Sequence, residues 1–265
     1  MKNGRVIIGD SDMYYVSFGH GKKNLVVLPG LSDGLATVKN KALLLAPTYK
    51  RFLKKYRVYM FSRKNKLPKD YSIRQMAEDQ ASAMKTLGIE KASLLGVSQG
   101  GMIVQYLAID YPEMVEKLIL AVTAPYANET IKEAVNIWID DANKNDHLAF
   151  LTDSAERIYT KAYVDKNRKR LPLLAKLAKP KSYERLLINA NAILKFDARK
   201  ELSKVKCPTL IIAGSDDHVI GNDAPEQLKG LIANSKVHIY EGLGHGSYDE
   251  AKDFYQRVLD FCETG

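Results

Sequence analysis

The stretch Gly96-Val97-Ser98-Gln99-Gly100 joins a short apolar run, residues 92–95, to a longer apolar run, residues 102–109, through a single serine. The first run suits a buried parallel strand and the second a buried helix. The spacing G-x-S-x-G between a strand and a helix is the pattern of a nucleophile elbow, a tight turn that exposes the serine hydroxyl. Glycines two positions to either side suit that turn, because its strained backbone leaves no room for bulky side chains there. The stretch therefore predicts that Ser98 is a nucleophile at the start of a helix.

Apolar runs of strand length recur on both sides of this stretch, and helical patterns separate them. We predict strands at residues 6–8, 13–18, 25–28, 57–61, 92–95, 118–122, 207–214 and 237–240. We predict helices at residues 43–56, 72–88, 102–109, 225–232 and 248–261. Strands that alternate with helices predict an α/β fold with a mostly parallel, doubly wound sheet, and the first two strands predict a short antiparallel start.

The strand pattern stops between residues 125 and 195, where only helical patterns remain. These patterns fall at residues 131–139, 148–163, 171–177 and 183–194. Strands resume only at residue 207. We therefore predict a core formed by residues 1–124 and 196–265, with residues 125–195 as a helical insertion rather than an independent domain.

A serine hydroxyl is a poor nucleophile at neutral pH and needs a base to activate it. Among the five histidines, His245 is the one in a loop after a strand, and the glycines on both sides of it let the imidazole reach across to Ser98. A third group, an acid that orients the imidazole, is expected on the loop after the preceding strand. Asp216 and Asp217 both occupy that loop. Serine, acid and histidine then follow in the chain order that accompanies a nucleophile elbow.

At this point nearly the whole chain resembles the α/β-hydrolase superfamily. The resemblance rests on residues 28–31, the helical pattern at 72–88, the elbow at 96–101, residues 208–217 and residues 244–245. In this superfamily the acid usually falls three residues after a glycine such as Gly214, so the resemblance favours Asp217 over Asp216. Three departures leave the subfamily unassigned. Pro29 stands where many members have histidine, residues 61–65 lack the run Asp-x-Arg-Gly, and Gly221 replaces a frequent proline.

The resemblance also implies how the site is completed. It implies that the backbone N–H groups of Leu31 and Gln99 form an oxyanion hole, and that the helical insertion caps the site. It implies chemistry without a metal or an organic cofactor. We accordingly expect a carboxylesterase-like serine hydrolase that cleaves a small ester or related acyl substrate. An aminopeptidase-like amidase, a C–C bond hydrolase and an acyltransferase with the same triad stay open, as does a ligand-binding module that keeps the fold without turnover.

The net charge of +9 is concentrated in one region. Between Lys161 and Arg185 there are nine basic residues and two acidic ones. The only aromatic residues there are Tyr163 and Tyr183, which do not make the stacking platform that nucleic-acid binding uses, so we expect no nucleic-acid partner. A solvated helical face and electrostatic steering of anionic substrates both remain open.

We expect a cytoplasmic protein without a membrane span. The chain contains no run of 18 apolar residues, and its first residues lack the layout of a signal peptide. Cys207 and Cys262 lie far apart without metal-ligand spacing, which favours reduced thiols.

Overall fold

An eight-stranded sheet runs through the structure, a computed structural model that describes residues 1–264 of the chain. Its strands are β1 (Lys2–Ile8), β2 (Ser11–Phe18), β3 (Lys23–Leu28), β4 (Tyr56–Lys64), β5 (Ala92–Val97), β6 (Val115–Ala121), β7 (Thr209–Gly214) and β8 (Ser235–Tyr240). Their order in the sheet is β1-β2-β4-β3-β5-β6-β7-β8. The β1–β2 and β2–β4 pairs are antiparallel, and every other pair is parallel. The predicted α/β fold with a mostly parallel sheet and an antiparallel start is confirmed.

Helices cover both faces of this sheet. They are α1 (Ala42–Leu45), α2 (Ile73–Thr86), α3 (Gln99–Asp110), α4 (Glu129–Asn143), α5 (His147–Ile158), α6 (Lys161–Asn167), α7 (Leu171–Ala178), α8 (Glu184–Leu194), α9 (Ala224–Leu231), α10 (Ser247–Glu250) and α11 (Phe254–Glu263). Alternate residues of β3 enter two different cores: Val26 and Leu28 pack with α2 and α3, whereas Leu25 and Val27 pack with α11. A strand buried on both faces needs a continuous apolar run, which explains the pattern of residues 25–28.

Reciprocal hydrogen bonds mark the start of α2. Ser72 is the N-cap, and its hydroxyl accepts a hydrogen bond from the Gln75 backbone N–H at 3.2 Å. The Gln75 side chain accepts one from the Ser72 backbone N–H at 2.9 Å. This reciprocal pair is a capping box, and it fixes where α2 begins.

The helix predicted over residues 43–56 is mostly wrong. Within that range the structure has only the last three residues of α1, followed by the 3-10 turn Ala46–Tyr49 and further turns up to β4. Pro47 is the physical reason, because proline has no backbone N–H and its ring clashes with the carbonyl four residues earlier. Leu43 and Leu44 consequently point into solvent and do not join a helical core stripe.

Two other predicted helices are each split in the structure. Residues 148–163 divide into α5 and α6, because Tyr159 leaves the helical conformation and Thr160 caps α6 through a bond from the Tyr163 N–H to its hydroxyl. Residues 248–261 divide into α10 and α11, with Ala251 extended between them. In both cases the helical spacing of apolar residues continues across the break. Periodicity alone therefore predicts one helix where the structure has two.

The segment between β6 and β7 contains α4 to α8, and its two ends meet. Ala127 donates a backbone hydrogen bond to Phe196, and Ala198 donates one to Pro125, both at 2.9 Å. The ends are further joined by an isolated bridge between Tyr126 and Asp197. The helical stretch therefore leaves and re-enters the sheet layer at one place.

His147 in α5 provides a prediction about stability. It is buried, its Nδ1 lies 2.8 Å from the Tyr183 hydroxyl, and its Nε2 has no partner among residues 1–264. Burial, with a smaller effect from the charge of Lys179, lowers the pKa of this imidazole. The unfolded chain therefore binds the proton more readily, so the stabilisation is present above the unfolded pKa of about 6.5 and is lost as the pH falls below it.

We expect the thermal midpoint of the protein to drop more steeply between about pH 7 and pH 5 than that of His147→Gln, which cannot titrate there. Circular dichroism melts of both proteins across this range measure the difference. Parallel slopes in the two proteins would show that His147 does not carry the effect.

Both cysteines, Cys207 and Cys262, are free thiols. Within residues 1–264, each helix is too short or too polar to cross a membrane.

Candidate active site

Ser98 lies on the sharp turn between β5 and α3. Its backbone has φ 53° and ψ −120°, a conformation that residues other than glycine rarely adopt and that costs on the order of 1–3 kcal/mol. Gly100 is required because a Cβ atom there would lie 2.0 Å from the Leu28 carbonyl oxygen. The Ser98 N–H continues the sheet through a 2.9 Å bond to the Ala121 carbonyl, and its own carbonyl accepts the Gly101 N–H. The turn therefore holds the side chain of Ser98 at the carboxyl edge of the sheet.

His245 and Asp217 form a buried pair at the same edge. His245 Nδ1 lies 2.9 Å from Asp217 Oδ2 and 3.2 Å from Oδ1. The backbone N–H groups of Val219 and Ile220 donate to Asp217 Oδ1 at 2.8 and 3.0 Å, so the carboxylate is fixed from its other side. Both members of the pair are almost fully buried. Asp216 is exposed and bonds to the neighbouring Ser215 hydroxyl instead.

The other histidines take no part in this arrangement. His20 and His218 are exposed, and His147 is buried in the helical insertion against Tyr183. His238 is on the edge strand β8. The structure thus brings Asp217 and His245 together, whereas Asp216 and the other four histidines take no part in the pair. Nε2 of His245 makes no hydrogen bond to any residue within 1–264, which leaves it available to a hydroxyl or a substrate.

A cavity of about 290 Å³ lies beside Ser98, and both Ser98 and His245 line it. Trp138 of α4, Phe150 of α5 and Leu186 of α8 form part of its wall. No lysine, arginine, aspartate or glutamate within the described chain lines the cavity. Such a lining favours a neutral, mostly apolar ligand over a charged one, because a charge loses hydration there without gaining a partner.

The loop after β3 reaches the turn at Ser98. A Cβ atom on Gly30 would lie 3.2 Å from the Ser98 Cβ, so the two backbones are in close contact. Leu31, the next residue, also lines the cavity. The backbone N–H groups of Leu31 and Gln99 have no acceptor among residues 1–264. Gln99 is the first residue of α3, where backbone N–H groups have no partner within the helix.

A network of buried charges below this loop was not found by sequence reasoning. The Gln99 side chain accepts a bond from Arg63 at 2.8 Å and donates to the Asn189 carbonyl of α8 at 2.7 Å. Asp33 accepts the Arg63 backbone N–H at 3.0 Å and the Arg185 guanidinium at 2.7 Å. The network joins the loop, the start of α3 and helix α8.

Arg63 is the most unusual member of this network because it is completely buried. Burial lowers the pKa of its guanidinium and Arg185 adds to that effect, whereas the charge of Asp33 opposes it. Two of its nitrogens, Nε and Nη1, have no partner among residues 1–264. The sequence held no signal for this burial, because Arg63 stands beside Lys64 just after the predicted strand at residues 57–61. Charged residues are mostly exposed, so the residue type alone predicts an arginine at the surface.

No group of three or more histidine, cysteine, aspartate or glutamate side chains suited to a metal ion occurs in residues 1–264.

Comparison with known proteins places this architecture in a family. The chain is 26% identical over 201 residues to RutD of Pseudomonas savastanoi pv. phaseolicola, a protein named for carbamate hydrolase activity. The matched residues cover 75% of this chain and 78% of that protein. It is also 26% identical over 202 residues to a 2-hydroxy-6-oxononadienedioate/2-hydroxy-6-oxononatrienedioate hydrolase of Paraburkholderia phymatum, covering 67% of this chain and 64% of the relative.

Among solved structures, the enol-lactonase of Burkholderia xenovorans superposes with a TM-score of 0.81 at 23% identity, over 98% of this chain and all of that one. At this identity the likeness concerns the fold alone. The sequence model of the alpha/beta hydrolase fold matches residues 25–252, a range that includes the elbow, the acid loop and His245. By this match and by its sheet, the chain belongs to the alpha/beta hydrolase fold family.

Proposed function

We propose that this protein is a serine hydrolase that cleaves a small, neutral ester or related acyl compound through an acyl-enzyme on Ser98. The observation that carries the proposal is the buried His245–Asp217 pair, of which His245 lines the same cavity as Ser98 on its strained turn. A buried carboxylate beside Nδ1 favours the imidazole tautomer that keeps the proton on Nδ1 and leaves Nε2 as a base.

The proposed reaction has two halves. Nε2 of His245 takes the Ser98 hydroxyl proton as Oγ attacks the carbonyl carbon, and the N–H groups of Leu31 and Gln99 stabilise the oxyanion. The imidazolium then protonates the leaving group, and the acyl group stays on Oγ. Water attacks this ester with the same base, which restores the free serine and releases the acid. Asp217 orients His245 throughout and does not become protonated.

We also propose that residues 125–195 act as a cap on the core formed by residues 1–124 and 196–265. Three features support this role: the two ends of the segment meet at one place, its helices supply cavity walls, and α8 is bonded to Gln99 and Asp33. The cap would then set the shape of the acyl pocket.

The lining of the cavity favours a neutral substrate over a dicarboxylate. The Paraburkholderia relative is named for a dicarboxylate, which needs cations near the substrate, and no lysine or arginine of the described chain lines this cavity. The basic residues between Lys161 and Arg185 therefore lie outside the lining of the pocket. At about 290 Å³ the cavity is near the lower end of the range of about 300–1,000 Å³ common for ligand sites, which favours small acyl groups.

A panel of chromogenic substrates tests the proposal. We expect short neutral p-nitrophenyl esters to give a kcat/KM at least about tenfold higher than a matched ester with a carboxylate on its acyl group, because that charge must be desolvated. An anilide and a p-nitrophenyl carbamate in the same panel test the amidase alternative and the activity for which RutD is named. Ligand binding without release of p-nitrophenol would indicate a binding module, and a preference for the carboxylate ester would contradict the neutral pocket.

A further inference from the structure

Helix α7 has two apolar faces, and only one of them is covered. At 100° per residue, Leu171 and Ala175 lie on one side, where Leu171 lines the cavity and Ala175 is buried. Leu173, Leu174 and Leu177 lie on the other side and are 60%, 48% and 74% exposed. Contiguous leucines on an outer surface are uncommon unless that surface contacts something apolar.

Basic residues flank these three leucines in the chain. Residues 166–183 contain seven basic residues and no acidic one, and all seven are exposed. Arg168 pairs with Glu156 at 2.9 Å, but Lys169, Arg170 and Lys176 form no ion pair within residues 1–264. We call the surface formed by Leu173, Leu174, Leu177 and the three cations Lys169, Arg170 and Lys176 the α7 surface. It combines uncovered apolar area with unneutralised charge.

We propose that the α7 surface docks on an anionic lipid surface. A helix with leucines on one face and lysines and arginines beside them lies in the plane of a membrane interface, with its leucines among the acyl chains and its cations at the headgroups. The eight residues of α7 are about 12 Å long, far shorter than a hydrocarbon core of about 30 Å, so the helix lies on the surface.

Other occupants fit the α7 surface less well. A second copy of the chain would bring two clusters of seven cations together, and like charges at an interface oppose association. A nucleic acid would neutralise the cations and leave the leucines in water. An anionic bilayer supplies negative charge and apolar volume side by side, which is the combination that this surface presents.

Docking would also orient the cavity. Leu171 on the inner face of α7 lines the cavity, so the cavity would lie directly behind the docked helix. Lipid binding does not depend on the proposed hydrolase activity, and its failure would leave that activity untouched.

Co-sedimentation of the whole protein with vesicles tests the proposal. We expect binding to vesicles of equal parts phosphatidylcholine and phosphatidylglycerol to exceed binding to pure phosphatidylcholine by at least about tenfold at about 0.1 M salt. The preference should fall at about 1 M salt, where the Debye length is about 3 Å. Equal binding to the two vesicles, or none to either, would overturn the proposal.

Two sets of substitutions assign the binding to the α7 surface. Leu173→Ser with Leu174→Ser and Leu177→Ser should weaken binding to the anionic vesicles at least about tenfold by removing apolar contact. Lys169→Gln with Arg170→Gln and Lys176→Gln should weaken it by on the order of a hundredfold by removing three charges. All six positions are exposed, and circular dichroism melts verify that both variants fold like the parent.

The matched control replaces the exposed pair Leu43 and Leu44 on α1 by serine and should bind like the parent. An equal loss in this control would place the contact elsewhere and overturn the proposal. Full binding by the leucine variant of α7 would show a contact by charge alone, as an acidic protein or a nucleic acid makes, and would also overturn it. Sedimentation velocity without lipid completes the test, since a dimer that the leucine variant abolishes would assign the α7 surface to a second copy.

Discussion

Ser98→Ala is expected to lower kcat by about 10⁶-fold on the preferred ester, to the limit of detection. The substitution removes the hydroxyl of the proposed nucleophile, which lines the cavity together with His245, and alanine fills nearly the same space. The fold should be retained, because the Ser98 side chain makes no hydrogen bond that the turn depends on and its backbone bonds to Ala121 and Gly101 remain. Steady-state kinetics on the purified variant, with a thermal melt as the control for folding, give the result.

Any activity of the Ser98→Ala protein above a few per cent of the parent would contradict the assignment, provided that contaminating esterase is excluded. Ser154 also lines the cavity and offers a matched control. Ser154→Ala should change kcat by less than about tenfold, because that hydroxyl is not on the elbow and lacks the helix N-terminus beside it.

Asp217→Asn is expected to lower kcat by on the order of 10⁴-fold, whereas Asp216→Asn should stay within about threefold of the parent. An amide in place of Asp217 would present a donor to one of its two neighbours, the His245 ring or the N–H groups of Val219 and Ile220, and would favour the wrong tautomer of the imidazole. Asp216 is exposed and contacts Ser215, so its charge has little influence on His245.

Parallel kinetics of these two asparagine variants decide which acid works with His245. A larger loss at position 216 than at position 217 would show that the hydrogen bonds of Asp217 are structural only. The pair is a well-matched control because both changes remove one negative charge from the same loop.

The fold was predictable because its central strands are buried on both faces. Residues 25–28 and 210–213 show this as uninterrupted apolar runs, and the elbow marks where one strand must turn into a helix. The failures lie where a local capping or backbone effect overrides periodicity. Pro47 stops α1 after one turn, and Thr160 starts a new helix within a continuing apolar pattern.

The site was predictable only where chain order and spacing carry information. Ser98 and His245 stood out because each is flanked by glycines at the end of a strand, and the structure places both on one cavity. The residues alone left both Asp216 and Asp217 open, and the family resemblance favoured Asp217 through its spacing from Gly214. In the structure burial and hydrogen bonding distinguish the two, and both depend on the folded loop.

The network of Arg63, Asp33 and Arg185 was out of reach for a different reason. Its members lie 30 to 152 positions apart in the chain, and each looks like an ordinary surface charge in its own neighbourhood. Arg185 in particular belongs to the basic stretch that suggested a solvated face, yet it is paired with Asp33 at 2.7 Å below the loop. Only the fold brings the three together.

Covalent labelling by a fluorophosphonate tests the central claim most directly, because this reagent phosphonylates a serine that a neighbouring base has activated. The account predicts one phosphonyl group per chain on the peptide that contains Ser98, loss of esterase activity in proportion to labelling, and no label in Ser98→Ala. A label on another residue, or full inactivation while Ser98 stays unmodified, would contradict it.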